Sequence, residues 1–325
     1  MWLYVLLFVV GLVLLIKGGD WFVDGATGVA HRFHLPELLI GATIVSIGTT
    51  LPEVMVSATS AATGHGEIAY GNAIGSIICN TSLIAAITIA IKPAKIERKS
   101  LIVPVIFFGM AITIYALVAY LTGYFARWVG IVLLCIFVAY IIIQVIMIRK
   151  QSKEEVDELE EDDEEKKNSS ILKEVFLIVI GAALIAVGAD LLVDNGSLIA
   201  KEIGVPESVI ALTFVALGTS LPELVTAITS LVKGHGSLSL GNIIGANLFN
   251  LILVSGVATT ISPFIVPASK MVFGINSSLL IDIPLVFIVM GLMLIPALIR
   301  GKLSKWQGIV LLVIYFAFTI FQFVI

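Results

Sequence analysis

Ten apolar runs divide the chain, at about residues 2–25, 35–62, 67–91, 101–121, 126–148, 172–196, 206–231, 237–261, 280–299 and 305–325. A membrane helix needs roughly 20 consecutive apolar residues, and short polar stretches separate these runs. None alternates apolar and polar positions over about ten residues, as a barrel strand does. The pattern predicts an all-α integral membrane protein of ten transmembrane helices. The first run has the length of a signal sequence but lacks a basic start, and its residues have counterparts later in the chain. It is expected to be retained.

Those counterparts lie at a fixed offset. A shift of 170 residues places Asp20 and Asp24 on Asp190 and Asp194, and Pro36 and Glu37 on Pro206 and Glu207. GTTLPE (48–53) falls on GTSLPE (218–223), and GNAIGSIICN (71–80) on GNIIGANLFN (241–250). Between 36–83 and 206–253, 21 of 48 positions are identical without a gap. Chance likeness between apolar helices does not hold prolines, acids and amides in one register, so the unit is duplicated. Residues 1–150 read as a first five-helix repeat, 151–170 as an acidic linker and 171–325 as a second repeat. An odd number of helices per copy forces the copies into opposite orientations, an architecture that recurs in secondary transporters.

Composition supports the membrane reading, and charge orients it. The chain is 59% hydrophobic and 13% charged, whereas a soluble domain carries about 25% charged residues. An ordinary cytosolic enzyme is excluded. The formal net charge of −4 conceals a segregation, because residues 154–165 hold ten of the 23 acids. With the amino terminus outside, inner loops receive 15 of the 19 basic residues, and outer loops only Arg127, Lys201 and Lys270. Such a bias places the acidic linker in the cytoplasm and both termini outside the plasma membrane. No feature points to nucleic acid. Cys79 and Cys135 both lie in apolar runs and imply no disulfide framework. Without a catalytic or nucleotide fingerprint, neither an enzyme nor a cofactor is expected.

The chemistry lies inside the apolar runs. Glu53 and Glu223 each sit near the middle of one, where a lone carboxylate costs at least about 2.5–3.5 kcal/mol and calls for a partner or a function. Each follows a proline, Pro52 or Pro222, that donates no backbone hydrogen bond and so frees the carbonyl of Gly48 or Gly218. Freed carbonyls at membrane depth are tolerated where they line a cavity or an ion site. At helical spacing Ser46, Thr50, Glu53 and Ser57 share one face, with Thr49 a turn before the glutamate. Thr219, Ser220, Glu223 and Thr226 repeat most of that stripe, with Ala216 in place of the serine. The following runs add Asn72, Ser76 and Asn80, matched by Asn242, Ala246 and Asn250. These are hard oxygen donors, suited to calcium, magnesium or sodium. The pairs Gly71/Gly75 and Gly241/Gly245 also permit close helix packing, which the asparagines can reinforce by hydrogen bonds. Close approach is expected to bring Asn80 towards Glu53 and Asn250 towards Glu223. Lys17 is a candidate partner for Asp20, and His65 and His235 read as turn residues.

At these motifs the sequence resembles the calcium/cation antiporter superfamily, in its prokaryotic sodium/calcium exchanger branch. The two signature segments, the alpha repeats, correspond to about 41–83 and 211–253. The resemblance implies ion binding between the second, third, seventh and eighth helices, with Glu53 and Glu223 as shared Ca²⁺ and Na⁺ ligands. It implies that the backbone carbonyls of Thr49 and Thr219 join them, and that Ser46, Thr50, Ser76, Asn80, Ala216, Ser220 and Asn250 line flanking sodium sites. Archaeal members that the sequence resembles carry an aspartate at the position of Asn250 and a serine at that of Ala246. Here one central charge and one hydroxyl are absent. The proton/calcium branch places a glutamate shortly after the asparagine of its GN segment, and neither GNAIGS nor GNIIGA has one. Exchange of Ca²⁺ for Na⁺ is the expected activity. Proton-coupled exchange, a passive cation channel and a calcium-sensing receptor stay open, and oligomeric state is not legible.

Overall fold

The computed structural model describes residues 2–93, 96, 98–158, 171–204, 218–268 and 271–324. Pro206, Glu207, Ala216 and most of the acidic run lie outside the described residues. The helices are α1 (Trp2–Arg32), α2 (Glu37–Ala62), α3 (Gly66–Ile91) and α4 (Arg98–Thr122), then α5 (Arg127–Glu158). The second half supplies α6 (Ile171–Glu202), α7 (Leu221–Val232), α8 (Gly236–Ile261) and α9 (Ser278–Arg300), and α10 (Lys305–Val324). Among the described residues nine of these are long and apolar enough to span a bilayer, α7 being the short one.

The motif helices form the interior. The most apolar stretches of α3 and α8 are 72% and 83% buried, against 22% for those of α1, α5 and α6. Those stretches of α3 and α8 are also less apolar than those of α1, α5 and α6. What distinguishes α3 and α8 is small and polar residues, among them Gly241, Asn242, Ala246 and Asn250, all buried.

The equivalent first helices, α1 and α6, run antiparallel along one another. A Cβ on Gly11 would stand 2.8 Å from the Gly188 carbonyl oxygen, and one on Gly188 would stand 2.8 Å from that of Gly11. A turn or two along, Gly18 meets Gly181, and Gly25 meets Glu174. Gly11 and Gly181 are repeat equivalents, as are Gly18 and Gly188, so the contact repeats itself with the two copies exchanged. Glycines let helix backbones approach where hydrophobicity supplies no drive. This packing also explains why α1 extends past residue 25 to Arg32: Ala26 and Ala30 are buried, although the local sequence is too polar for lipid.

Local structure copies the duplication. Gly64 and Gly234 adopt φ of +84° and +91°, a left-handed conformation that costs glycine little. The chain then turns so that the His65 and His235 amides donate to the Ser60 and Ser230 carbonyls, at 2.8 and 2.7 Å. From there Gly66–Cys79 and Gly236–Phe249 run as regular helix. Both open into a π-helical turn at the equivalent asparagine, Asn80–Ala85 in α3 and Asn250–Val254 in α8. A further π turn, Gly41–Val45, lies in α2. Single π turns inside α-helices gather at functional sites.

Ion pairs join the halves near the carboxy-terminal end of α1. Lys233, after α7, lies 2.7 Å from Asp24 and 3.5 Å from Asp20. The cation at Asp20 is therefore Lys233 rather than Lys17, contributed by the other repeat. His235 does more than shape a turn, since its Nδ1 lies 2.6 Å from Glu37 Oε1.

Candidate cation site

Four helices place the predicted residues. The helical stripe of α2 turns Ser46, Thr49, Thr50, Glu53 and Ser57 inward, all buried, while Ile47, Leu51 and Met55 face outward. In α7 the buried positions are Pro222, Glu223, Thr226, Ala227 and Ser230. The prolines act differently in the two copies. Pro52 sits within a continuous helix, whereas in the second copy Thr219 and Ser220 form a turn and Leu221 opens the helix that carries Glu223. Proline fits a first helical turn, where its missing N–H is not needed.

Glu53 and Glu223 are both fully buried. The helices that carry them pack against one another. None of the four carboxylate oxygens has a hydrogen-bond partner among the described residues. The same holds for Thr50 Oγ1, Ser220 Oγ, Thr226 Oγ1 and both side-chain polar atoms of Asn80 and Asn250. No lysine, arginine or histidine is buried among the described residues. Two buried carboxylates without protein counter-charge or donors are costly by several kcal/mol each. A hard cation removes that cost, and the neutral donors are hydroxyl and amide oxygens of the type that bind calcium or sodium.

The asparagine-bearing turns cross between the halves. The turn that begins at Asn80 packs on α7, and the turn that begins at Asn250 packs on α2. The sequence suggested pairing within each repeat, Asn80 with Glu53 and Asn250 with Glu223. The packing thus brings each turn against the glutamate-bearing helix of the opposite copy.

On one side a cavity of about 490 Å³ reaches the site, lined by Asn72, Ser76, Cys79 and Thr219 and extending to Tyr70 and Asp282. Thr219 and Asn72 are half-buried there. Their equivalents on the opposite side, Thr49 and Asn242, are 2% and 0% exposed.

Comparison with known proteins decides the family. The family described as sodium/calcium exchanger protein matches residues 3–146 and 173–324. This chain belongs to that family. Sodium/calcium exchanger MaX1 of Methanosarcina acetivorans is 29% identical, with 98% of each chain covered. Membrane protein MJ0091 of Methanocaldococcus jannaschii is 34% identical over 95% of this chain and 94% of its own. The solved structure of the sodium–calcium exchanger NCX_Mj, soaked with 2.5 mM Na⁺ and 10 mM Sr²⁺, matches with a TM-score of 0.80 at 30% identity. The match covers 97% of both chains. Family membership makes the chain a membrane transporter rather than an enzyme.

Within this exchanger-family fold, some residues implied by the resemblance hold structural bonds. The Ser46 hydroxyl donates to the Gly41 carbonyl at 2.7 Å, capping the π turn of α2, and lies 3.0 Å from the Asn242 carbonyl. Ser76 is buried and borders the cavity. Three residues entered only as a stripe or a face and proved to be hydrogen-bonded in pairs or buried at the site: Asn72, Asn242 and Thr226. Tyr140 and Gln144 of α5 escaped notice altogether. The Tyr140 hydroxyl donates to the Ala42 carbonyl at 2.9 Å, and Gln144 donates to Tyr140 at 2.7 Å. No repeat partner marks them, and only a polar pair spaced by four in an apolar helix could have.

Proposed function

We propose that the chain exchanges Ca²⁺ for Na⁺ by alternating access at one central site held by Glu53 and Glu223. The observation that carries this reading is the pair of fully buried carboxylates without a protein partner, set among neutral oxygen donors. Thr50, Asn80, Ser220 and Asn250 complete the donor set, with the carbonyls of Thr49 and Thr219. Ser46, Ser76 and Ala216 flank it, Ala216 lying outside the described residues. The family membership and the likeness to an exchanger soaked with Na⁺ and Sr²⁺ support the same choice of ions.

The charge argument gives exchange its obligation. With Asn250 neutral, the two glutamates supply two negative charges, balanced by one Ca²⁺ or by monovalent ions sharing the carboxylates. A doubly charged site without cations resists crossing a dry barrier, because charge at membrane depth is expensive. Either loaded form crosses. In this reading the repeats are inverted in the plasma membrane, both termini are outside and the acidic linker is cytoplasmic.

The test is uptake into proteoliposomes loaded with Na⁺ and diluted into Na⁺-free medium at fixed pH. Entry of ⁴⁵Ca²⁺ that requires internal Na⁺ is expected, as is its loss in Glu53→Gln and Glu223→Gln. Uptake that follows a pH gradient and ignores Na⁺ would assign proton coupling instead. Uptake that needs neither gradient would assign a channel.

A further inference from the structure

Two hydrogen bonds cross between the repeats and are equivalent under the 170-residue shift. Thr49 Oγ1 donates to Asn242 Oδ1 at 3.1 Å, and Thr219 Oγ1 donates to Asn72 Oδ1 at 3.2 Å. Each threonine lies four residues before a site glutamate, and each asparagine is the GN residue of the opposite copy. The two amide oxygens are thus engaged by hydroxyls rather than open to a cation. Asn72 reaches further: its Nδ2 donates to the Glu53 carbonyl at 3.1 Å and to Ser57 Oγ at 2.8 Å. Asn242 Nδ2 has no partner among the described residues, and Ala227 stands where Ser57 supplies a hydroxyl in the first copy.

We infer that Asn72 and Asn242 are positioning residues that hold the threonine–glutamate segment of the opposite repeat, and so set how tightly the site grips Ca²⁺. The inference rests on the cation-exchange reading above. A threonine whose hydroxyl is held by the other repeat cannot rotate its own peptide carbonyl away from the site without breaking that bond. Two such bonds make the site a joint product of both repeats, so that neither half presents its donors in place alone. Asn72 additionally fastens the Glu53 backbone within its own repeat, and Asn242 leaves the Glu223 segment with the single cross-repeat tie.

A set of crossed double-mutant cycles tests this, read as the Ca²⁺ half-saturation of Na⁺-driven ⁴⁵Ca²⁺ uptake. Thr49→Val keeps the backbone carbonyl and the side-chain shape while removing the hydroxyl. Loss of one buried hydrogen bond corresponds to roughly a fivefold to tenfold change. Thr49→Val and Asn242→Ala are each expected to raise half-saturation by that factor, and the matched double variant by no more than the larger single effect. The unmatched pair Thr219→Val with Asn242→Ala, which share no hydrogen-bond partner, is expected to multiply the two single effects. Thr49→Ser, which restores the hydroxyl, is expected to return half-saturation to within about twofold of wild type. A general packing defect would lower the amount of folded protein without this pattern. Multiplying effects in the matched pair, or a Thr49→Ser variant as impaired as Thr49→Val, would overturn the inference while leaving exchange intact. If wild type moves no Ca²⁺ under any gradient, the exchange reading fails. The same cycles read as melting temperature in detergent then decide the inference alone, with matched coupling supporting it and additivity overturning it.

Discussion

The two repeats share a sequence pattern and use it differently. In the first, the glutamate-bearing helix runs unbroken through Pro52 from Ser46 to Ala62, and Asn72 clamps its backbone at Glu53. In the second, the helix that carries Glu223 opens at Leu221, just before the glutamate, and the corresponding asparagine makes no such clamp. One copy is thus braced internally, and the other is held mainly across the interface. A duplicated unit needs only its donor atoms in common to build a two-sided site, and the backbone around them is free to diverge. That divergence puts the looser segment on the side where the cavity meets Thr219 and Asn72.

The largest expected effect comes from removing what the copies share. Glu53→Gln and Glu223→Gln should each lower Na⁺-driven Ca²⁺ uptake by at least about a hundredfold, on the order of the loss of one directly coordinating charge. Both should raise the melting temperature in ion-free detergent, because an unpartnered buried carboxylate becomes an amide. A Gln variant that exchanges normally would break the equivalence of the two carboxylates.

Next in size is the packing of α1 on α6 that joins the halves. Gly188→Leu places its side chain against the Gly11 carbonyl, where a Cβ alone would be 2.8 Å away. Overpacking of this kind costs about 1–3 kcal/mol, so a clear fall in thermal stability is expected. Gly18→Leu should fall equally, since Gly18 is the repeat equivalent of Gly188 and meets Gly181 as Gly188 meets Gly11. Unequal losses would show that the helix pair is not the symmetric seam described.

A smaller change sharpens the asymmetry. Ala227→Ser supplies the hydroxyl that Ser57 provides in the first copy, giving Asn242 Nδ2 an acceptor. One new buried hydrogen bond is worth about 0.5–1.5 kcal/mol, so melting temperature should rise. Ser57→Ala should lower it by a similar amount. If neither moves it, the asparagine clamp has no bearing on stability.

Lys233→Ala should have the least effect. Its partners Asp20 and Asp24 are 37% and 55% exposed at the side chain, and pairs of that kind are worth about 0–1 kcal/mol. A loss of thermal stability confined to low salt is expected, since salt screens such pairs.

The helices were legible because hydropathy reports any apolar environment, and the duplication because Gly, Pro, Glu and Asn kept their register. The turns at Gly64 and Gly234 were equally readable, since a positive φ calls for glycine. Tertiary contacts were not. The extension of α1 to Arg32 depends on a neighbouring helix, which a hydropathy window cannot register. The crossing of Asn80 and Asn250 between halves depends on tertiary packing, and a repeat read in isolation pairs each glutamate with its own copy. Asn72 and Asn242 were visible as amides, but whether an amide oxygen faces a cation or a hydroxyl is decided by its partner. Lys233, rather than Lys17, at Asp20 is the same lesson at the surface.

The central claim is that Glu53 and Glu223 hold Ca²⁺ and Na⁺ in turn at one site. Equilibrium ⁴⁵Ca²⁺ binding to the purified chain in detergent, titrated with Na⁺ at fixed pH, tests it most directly. The account predicts one bound Ca²⁺ per chain, complete displacement by Na⁺, and no binding to either Gln variant. Ca²⁺ that stays bound at saturating Na⁺, or that binds undiminished to both variants, would contradict it.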